Sequence, residues 1–343
     1  MNIKSILQGA ALCAAVALFA VQPAAAADTR LTGSGASFPA PLYTTWFKDF
    51  SRAHKDIQIN YQSKGSGAGI RDFQNHVVDF AASDAAMNEE EIAKVKEGVQ
   101  LLPMTAGEIV LAYNLEGVKD LKLPREVYPA IFLGKIKKWN DPAIVAANPG
   151  VKLPDEEITV VTRADSSGTT FVFTKHLSAV SDEFKNGPGF GKTVNWPSDA
   201  KMVKGPKNDG VTALIRQTPG AIGYIEYGFA RMAKISMASL QNKDGKFVAP
   251  TMESGQAALA HAKIPADMIV WASDPEGEKS YPIVTYTWMI FYKKYDDSAK
   301  AKALREMVVY CLDEGQKISD KAGYIPLPDN VVEKVREASA NIQ

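Results

Sequence analysis

Short β-branched or apolar runs recur along this chain, and several end in a loop of glycine, serine and aspartate that passes directly into a helical period. That alternation constrains the fold more than any other feature and predicts an α/β architecture. The first unit is a strand at 57–61, a loop at 63–69 and a short helix at 70–76, returning as a strand at 77–82 that ends on Ser83 and Asp84. Asn88 with Glu91 three positions on is a capping-box signature, and Gly98 stops the helix it opens. A second set holds a strand at 108–114, a helix at 124–132 opened by Pro124, a strand at 158–162 and a helix to about 177. Later come a helix to Gln217 after Asn208-Asp209-Gly210, a buried strand at 221–227, a long strand at 281–292, and amphipathic helices at 297–312 and 329–338.

The N-terminus is read separately from the fold. Lys4, an apolar stretch over 6–21 and the small residues Ala25 and Ala27 mark residues 1–27 as a secretory signal peptide cleaved before Asp28. Cys13 leaves with it, and Leu12 immediately before it makes a poor lipoprotein-processing site, so a soluble exported protein is expected. Cleavage takes 343 residues to 316, enough for two domains. Cys311 is then the last cysteine, which rules out an intramolecular disulfide and reads as a buried, inert thiol. Lys plus Arg and Asp plus Glu both number 39, with no basic stripe, which argues against nucleic acid or an anionic membrane surface as partner. An anionic ligand must therefore be attracted by local geometry.

Three loops set small residues just before helical periods. Gly33 to Pro41 precedes a helix from about 41 to 51, whose buried stripe is Leu42, Trp46, Phe47 and Phe50 and whose start presents the N–H groups of Ser37 and Phe38. Gly65-Ser66-Gly67-Ala68-Gly69 and Ser166-Ser167-Gly168-Thr169 are the others. Singly, each is what an ordinary N-cap or turn looks like. Together they suit an oxyanion in an open α/β crevice. Arg163, four residues before Ser167, is positioned to face that anion, with Asp165 close enough to restrain the guanidinium. Asp84 alone reads as an exposed turn residue. Beside an anion it is repulsive unless the ligand brings a proton, which would select protonated phosphate over sulfate.

The stretches Leu31 to Pro41, Val78 to Asp84 and Arg163 to Phe171 closely resemble the periplasmic phosphate-binding proteins of the phosphate-specific ABC transporter, and so do Leu133 to Trp139, Pro219 to Tyr224 and Tyr324 to Pro328. The resemblance implies a two-lobed solute-binding fold, with lobe 1 at 28–110 plus 285–343, lobe 2 at 111–284, and crossing strands near Ile109 and Val284. It also implies that Ala36, Ser37 and Phe38 contact phosphate mainly through backbone groups and the Ser37 hydroxyl. Ser66, Arg163, Ser167, Gly168 and Thr169 add donors, Asp84 accepts the phosphate proton, and Asp165 partners Arg163. A periplasmic monomer without a cofactor or metal, handing phosphate to a membrane permease complex, completes the expectation. Ser37 stands where the family often has threonine, and Gly67 lacks a hydroxyl, so any contact there falls to its backbone N–H.

Other readings fail on spacing. Gly187-Pro188-Gly189-Phe190-Gly191-Lys192-Thr193 is one residue short of a phosphate-cradling P-loop, with Asn186 where glycine is needed, and reads as a surface loop. Gly65 to Gly69 misses the dinucleotide fingerprint because Ile70 occupies the third glycine position. The rival class is a secreted phosphatase or other hydrolase using the same anion site. His54, His76, His176 and His261 are scattered, without H-E-x-x-H or G-x-S-x-G, so neither a base nor a metal site is indicated. Two of these histidines fall in helical periods and are expected to face solvent.

Overall fold

The computed structural model describes residues 29–260 and 262–343; the signal peptide, its cleavage site, Cys13 and His261 lie outside the described residues. The strands are β1 (Thr29–Gly35), β2 (Ile57–Ser63), β3 (Phe80–Ser83), β4 (Val99–Tyr113), β5 (Lys122–Leu123), β6 (Thr159–Arg163), β7 (Met202–Gly205), β8 (Ala221–Glu226), β9 (Ser236–Met237), β10 (Ser239–Gln241), β11 (Phe247–Val248) and β12 (Val284–Tyr292). Eight of them run in the order β2-β1-β3-β12-β4-β8-β6-β7, with β9 also on β4, and β11-β10-β5 form a small separate sheet. The expected α/β architecture is what the chain adopts.

β4 organises the sheet. From Val99 to Glu108 it pairs antiparallel with β12, and from Ile109 to Tyr113 it pairs antiparallel with β8. One continuous strand therefore belongs to two neighbourhoods. On one side β1 lies parallel to β2 and β3; on the other β6 lies parallel to β7 and β8. The sequence reading recovered only the later part of β4, because Pro103 interrupts its first half. Proline cannot donate to a ladder and is tolerated in strands at bulges. The β12 register indeed slips between Thr287 and Trp288, where Trp288 faces Pro103.

Parallel strands need helical crossovers, and these place helix starts at the carboxyl ends of the strands. Ala40–Ala53 follows β1, Ser66–Gln74 follows β2, Gly168–Val180 follows β6 and Lys207–Gln217 follows β7. The helix Ala40–Ala53 buries Leu42, Tyr43, Trp46, Phe47 and Phe50, the expected stripe plus one tyrosine.

The end of the chain packs on the outer side of that helix. Ser298–Tyr310 continues through a π-helical turn at Cys311–Gly315 into Gln316–Ser319. Trp46 Nε1 donates to the Gly315 carbonyl at 2.9 Å, and Tyr310 meets Phe50 edge-on at 5.5 Å between ring centres. Cys311 is fully buried there, and burial pushes its thiol far above the usual range, in keeping with an inert role. No helix among the described residues is long and apolar enough to cross a membrane.

Trp46 thus joins the first helix to the last part of the chain through both area and a hydrogen bond. Trp46→Ala is expected to lower unfolding stability by about 3–5 kcal/mol, read from urea denaturation, because it opens a cavity and removes a buried hydrogen bond to the Gly315 carbonyl.

Candidate functional site

The four helix starts and the end of β3 converge. Asp84, one residue past β3, is only 1% exposed, so it is not the solvated turn residue its local sequence suggests. Its Oδ1 accepts from the Thr287 hydroxyl at 2.9 Å, its Oδ2 from the Thr169 hydroxyl at 3.2 Å, and its backbone N–H reaches Ser66 Oγ at 3.4 Å. Burial pushes the Asp84 carboxyl up to about 7, against the lowering pull of the Thr287 hydroxyl, Arg163 and the Thr169 hydroxyl.

Arg163 ends β6 with its side chain 2% exposed. Nε and Nη2 form a fork onto Asp165 at 2.9 and 2.6 Å, and Nη1 donates to Thr169 Oγ1 at 3.3 Å. A guanidinium has five N–H donors, so these three bonds leave two to face a ligand. Burial alone would raise Asp165, but the bonds and charge of Arg163 hold it below the ordinary carboxylate range. Asp165 also accepts the Lys207 N–H at 2.8 Å, which ties it to the neighbouring helix start. The expected pairing of Arg163 with Asp165 is present as a bidentate contact.

Ser167 caps the helix Gly168–Val180 by accepting the Thr170 N–H at 3.0 Å. The cap leaves the N–H groups of Gly168 and Thr169 without intrahelical acceptors. Gly168 allows a close approach: a Cβ there would lie 2.5 Å from Ser66 Oγ and 2.8 Å from Asp84 Cβ. Ser66 is not in a loop, as the sequence suggested, but is the first residue of the helix Ser66–Gln74. That helix starts inside the glycine run because Gly65, at φ +89°, turns the chain into it. The Gly67 N–H is already taken by the Ser166 carbonyl at 3.0 Å. A side chain at Gly67 would collide with Ser166 Oγ, 2.1 Å from its Cβ position.

The first loop departs from expectation at one residue. The Ala36 N–H is bonded to the Ala82 carbonyl and the Ala36 carbonyl accepts the Tyr61 hydroxyl, so its backbone is committed to the sheet edge. Ser37 and Phe38 remain at the start of the helix Ala40–Ala53, and the Phe38 carbonyl is held by the Tyr324 hydroxyl at 2.7 Å.

Asn208 is the residue sequence reasoning missed. It is fully buried in the first turn of Lys207–Gln217, and its Nδ2 donates to Ser37 Oγ at 3.0 Å and to Thr169 Oγ1 at 3.3 Å. The available signal was a further strand, loop and helix start, at β7, of the same kind as the other three.

Two other readings change. The segment resembling a P-loop is not merely a surface loop, since the Lys192 carbonyl accepts the Ser167 N–H at 2.8 Å and its ammonium pairs with Glu91. His176 does not face solvent: it is buried in the helix Gly168–Val180 with Nε2 2.9 Å from the Tyr128 hydroxyl, and burial pushes it down to about 4. His76 is exposed, just past the end of its helix. No group of metal-ligating side chains large enough to hold an ion occurs among the described residues.

The model of the PBP superfamily domain matches residues 20–306. The chain is 38% identical over 312 residues to the phosphate-binding protein PstS of Xylella fastidiosa, spanning 90% of this chain and 84% of that one. It is 40% identical over 310 residues to PstS of Haemophilus influenzae, spanning 89% and 91%. The chain belongs to the PstS family. A solved high-affinity periplasmic phosphate-binding protein, PfluDING, bound with phosphate, shares the fold at 21% identity with a TM-score of 0.73, over 90% of this chain and 93% of that one. The PstS-family fold is the two-lobed α/β one, and the converging helix starts lie where its strands end.

The raised Asp84 carboxyl makes a pH prediction for the ligand-free protein. The folded state holds that proton more tightly than the unfolded chain, whose carboxylate titrates near about 3.9. The contribution to stability is therefore full below about pH 4 and is lost as pH rises through about 7. Asp84→Asn should remove a pH-dependent loss on the order of 4 kcal/mol from thermal or urea unfolding across that window. An unchanged pH slope would show that Asp84 is not the group responsible.

Proposed function

We propose that this chain is the exported solute-binding component of a phosphate ABC importer, and that it takes inorganic phosphate between two lobes and delivers it to a membrane permease complex. Its relatives in Xylella and Haemophilus are named as phosphate-binding proteins, and the N-terminal pattern fits export to the periplasm. The proposed lobes are 28–110 with 285–343, and 111–284. The change of partners along β4, from β12 up to Glu108 to β8 from Ile109, supports a division there.

The observation that carries the reading is a buried carboxylate set among hydrogen-bond donors. Ser37, Phe38, Ser66 and Asp84 come from one proposed lobe, and Arg163, Ser167, Gly168 and Thr169 from the other. Phosphate would draw all of them together, and closure follows from that differential contact. Ala36 belongs to the same loop, and its contribution is to hold the loop against β3 rather than to donate. A fully ionised anion meets an uncompensated charge at Asp84, whereas a protonated phosphate oxygen donates to it. The role is binding and delivery by a monomer, with no bond made or broken and no metal or cofactor required.

Calorimetry tests this directly. The purified protein should bind phosphate and reject sulfate at equal concentration, and Asp84→Asn should weaken phosphate while admitting sulfate. A variant that kept full phosphate affinity and still excluded sulfate would remove Asp84 from the selection. Because the donors are mainly dipoles and hydroxyls, phosphate affinity should fall only modestly with added salt. Turnover of a phosphate ester by the pure protein, abolished in Ser167→Ala, would overturn the binding role altogether.

A further inference from the structure

A hydroxyl can accept two hydrogen bonds and donate one, so whether it offers a donor or an acceptor to a ligand depends on how its lone pairs are filled. At Ser37 both are filled by one residue. The Asn208 backbone N–H reaches Ser37 Oγ at 3.1 Å and Asn208 Nδ2 reaches it at 3.0 Å. At Thr169 the same thing happens with two residues: Oγ1 accepts from Asn208 Nδ2 and from Arg163 Nη1, each at 3.3 Å. The Asn208 amide cannot turn over to reverse this, because its Oδ1 accepts the Glu226 N–H at 3.0 Å. Nothing in the amide is left over: both Nδ2 hydrogens and the carbonyl are engaged, and the side chain has no exposed surface.

We propose that Asn208 is a positioning residue that makes the Ser37 and Thr169 hydroxyls obligate donors, and thereby removes both as rivals to Asp84 for the proton of the bound oxyanion. The inference rests on the phosphate reading of the same site and deepens it. Selectivity for a protonated oxyanion needs more than an acceptor. Were Ser37 or Thr169 free to accept, a ligand could place its P–OH against them and bypass Asp84. With both filled, neither can take the ligand's proton in place of Asp84, and the positions facing them are left to unprotonated oxygens. The Thr169 hydroxyl, which in this structure donates to Asp84 Oδ2, also reports on the arrangement without any ligand.

The groups that bear on Asp84 are Arg163 and Asp165 from the end of β6, Thr287 from β12, Thr169 from its helix, and at greater range Tyr43, Tyr61, Tyr324 and Glu226. Of these, Asn208 is hydrogen-bonded to the Thr169 hydroxyl and to the Glu226 backbone N–H, and Thr169 is the one of the two that itself bonds Asp84, so it is the direct route from Asn208 to Asp84.

Two measurements separate this proposal from the phosphate reading. The first is a double-mutant cycle in phosphate affinity. Asn208→Ala should weaken binding by about 10-fold in the wild-type background and clearly less in a Ser37→Ala background, as expected for groups acting through one another. Asn208→Asp, which keeps the shape but replaces the donor by a carboxylate that would draw both hydroxyls toward itself, should cost about 100-fold or more. Equal losses from Asn208→Ala in both backgrounds would overturn the proposal. The second needs no ligand: carbon-13 NMR titration of the Asp84 carboxyl in the folded, ligand-free protein. Asn208→Ala frees Thr169 from its obligation to donate, so Asp84 should titrate at higher pH than in the wild type. An unmoved Asp84 titration in a folded variant would overturn the assignment, whatever the outcome for phosphate. Failure of the wild type to bind phosphate, with Asp84 still shifted in the variant, would instead sink the phosphate reading alone.

Discussion

A carboxylate taken out of water raises a demand that its surroundings must meet. Asp84 is enclosed at the end of β3 with its two oxygens receiving the Thr287 hydroxyl from β12 and the Thr169 hydroxyl from the helix Gly168–Val180. Those neutral donors only partly replace hydration, and burial still leaves the group titrating at about 7. Arg163 does not cancel it, since its fork is closed on Asp165. Counting formal charges, two carboxylates face one guanidinium. These three groups thus carry one net negative charge when Asp84 is ionised and none when it is protonated, an unusual place for an anion. It becomes favourable when the anion supplies a proton for Asp84 and acceptors for everything else. Glu226, buried behind it, has its carboxyl raised well above the ordinary range by the same loss of water and adds no compensating positive charge.

The fold explains why those donors can be gathered. Parallel pairing of β1 with β2 and of β6 with β7 sends the following helices off from the carboxyl end of each group; the two groups run in opposite directions, and β4 joins them without a break. A helix start supplies N–H groups that are already unpaired and already oriented, so little has to be reorganised around a ligand. Contacts such as Ser37 with Asn208, Asp84 with Thr169 and Glu91 with Lys192 cross between the two groups. Each is a polar link of the kind that a hinge can make and break, unlike the apolar seam that Trp46 forms with the final helices.

Much of this was legible in the sequence. The strand, loop and helix periods gave the architecture, the Asn88 and Glu91 capping box formed as read, and Arg163 met Asp165 as their spacing suggested. What escaped was whatever depends on distant chain. Pro103 hid the first half of β4 because its tolerance there comes from a bulge opposite Trp288. The helix beginning at Ser66 looked like loop because its glycines have low helical propensity, and they are kept small by the approach of Ser166 to Gly67 and of the Ser34–Gly35 backbone to Gly69. His176 gives no local sign of burial, since Tyr128 reaches it from another helix. Asn208 sits among charged and turn-forming neighbours that read as surface, and its value lies in contacts with Ser37 and Thr169, 171 and 39 residues away. Ala36 went the other way: its place in the loop was right, but its N–H was already needed by the sheet.

The central claim is that the bound anion keeps a proton and holds it against Asp84. Phosphorus-31 NMR of phosphate bound to the protein, followed from weakly acidic to weakly alkaline pH, measures that most directly. Free phosphate titrates through neutrality and its resonance moves accordingly. The account predicts a bound resonance that stays at a protonated position and does not move over this range. A bound resonance that sits at the fully ionised position would contradict it.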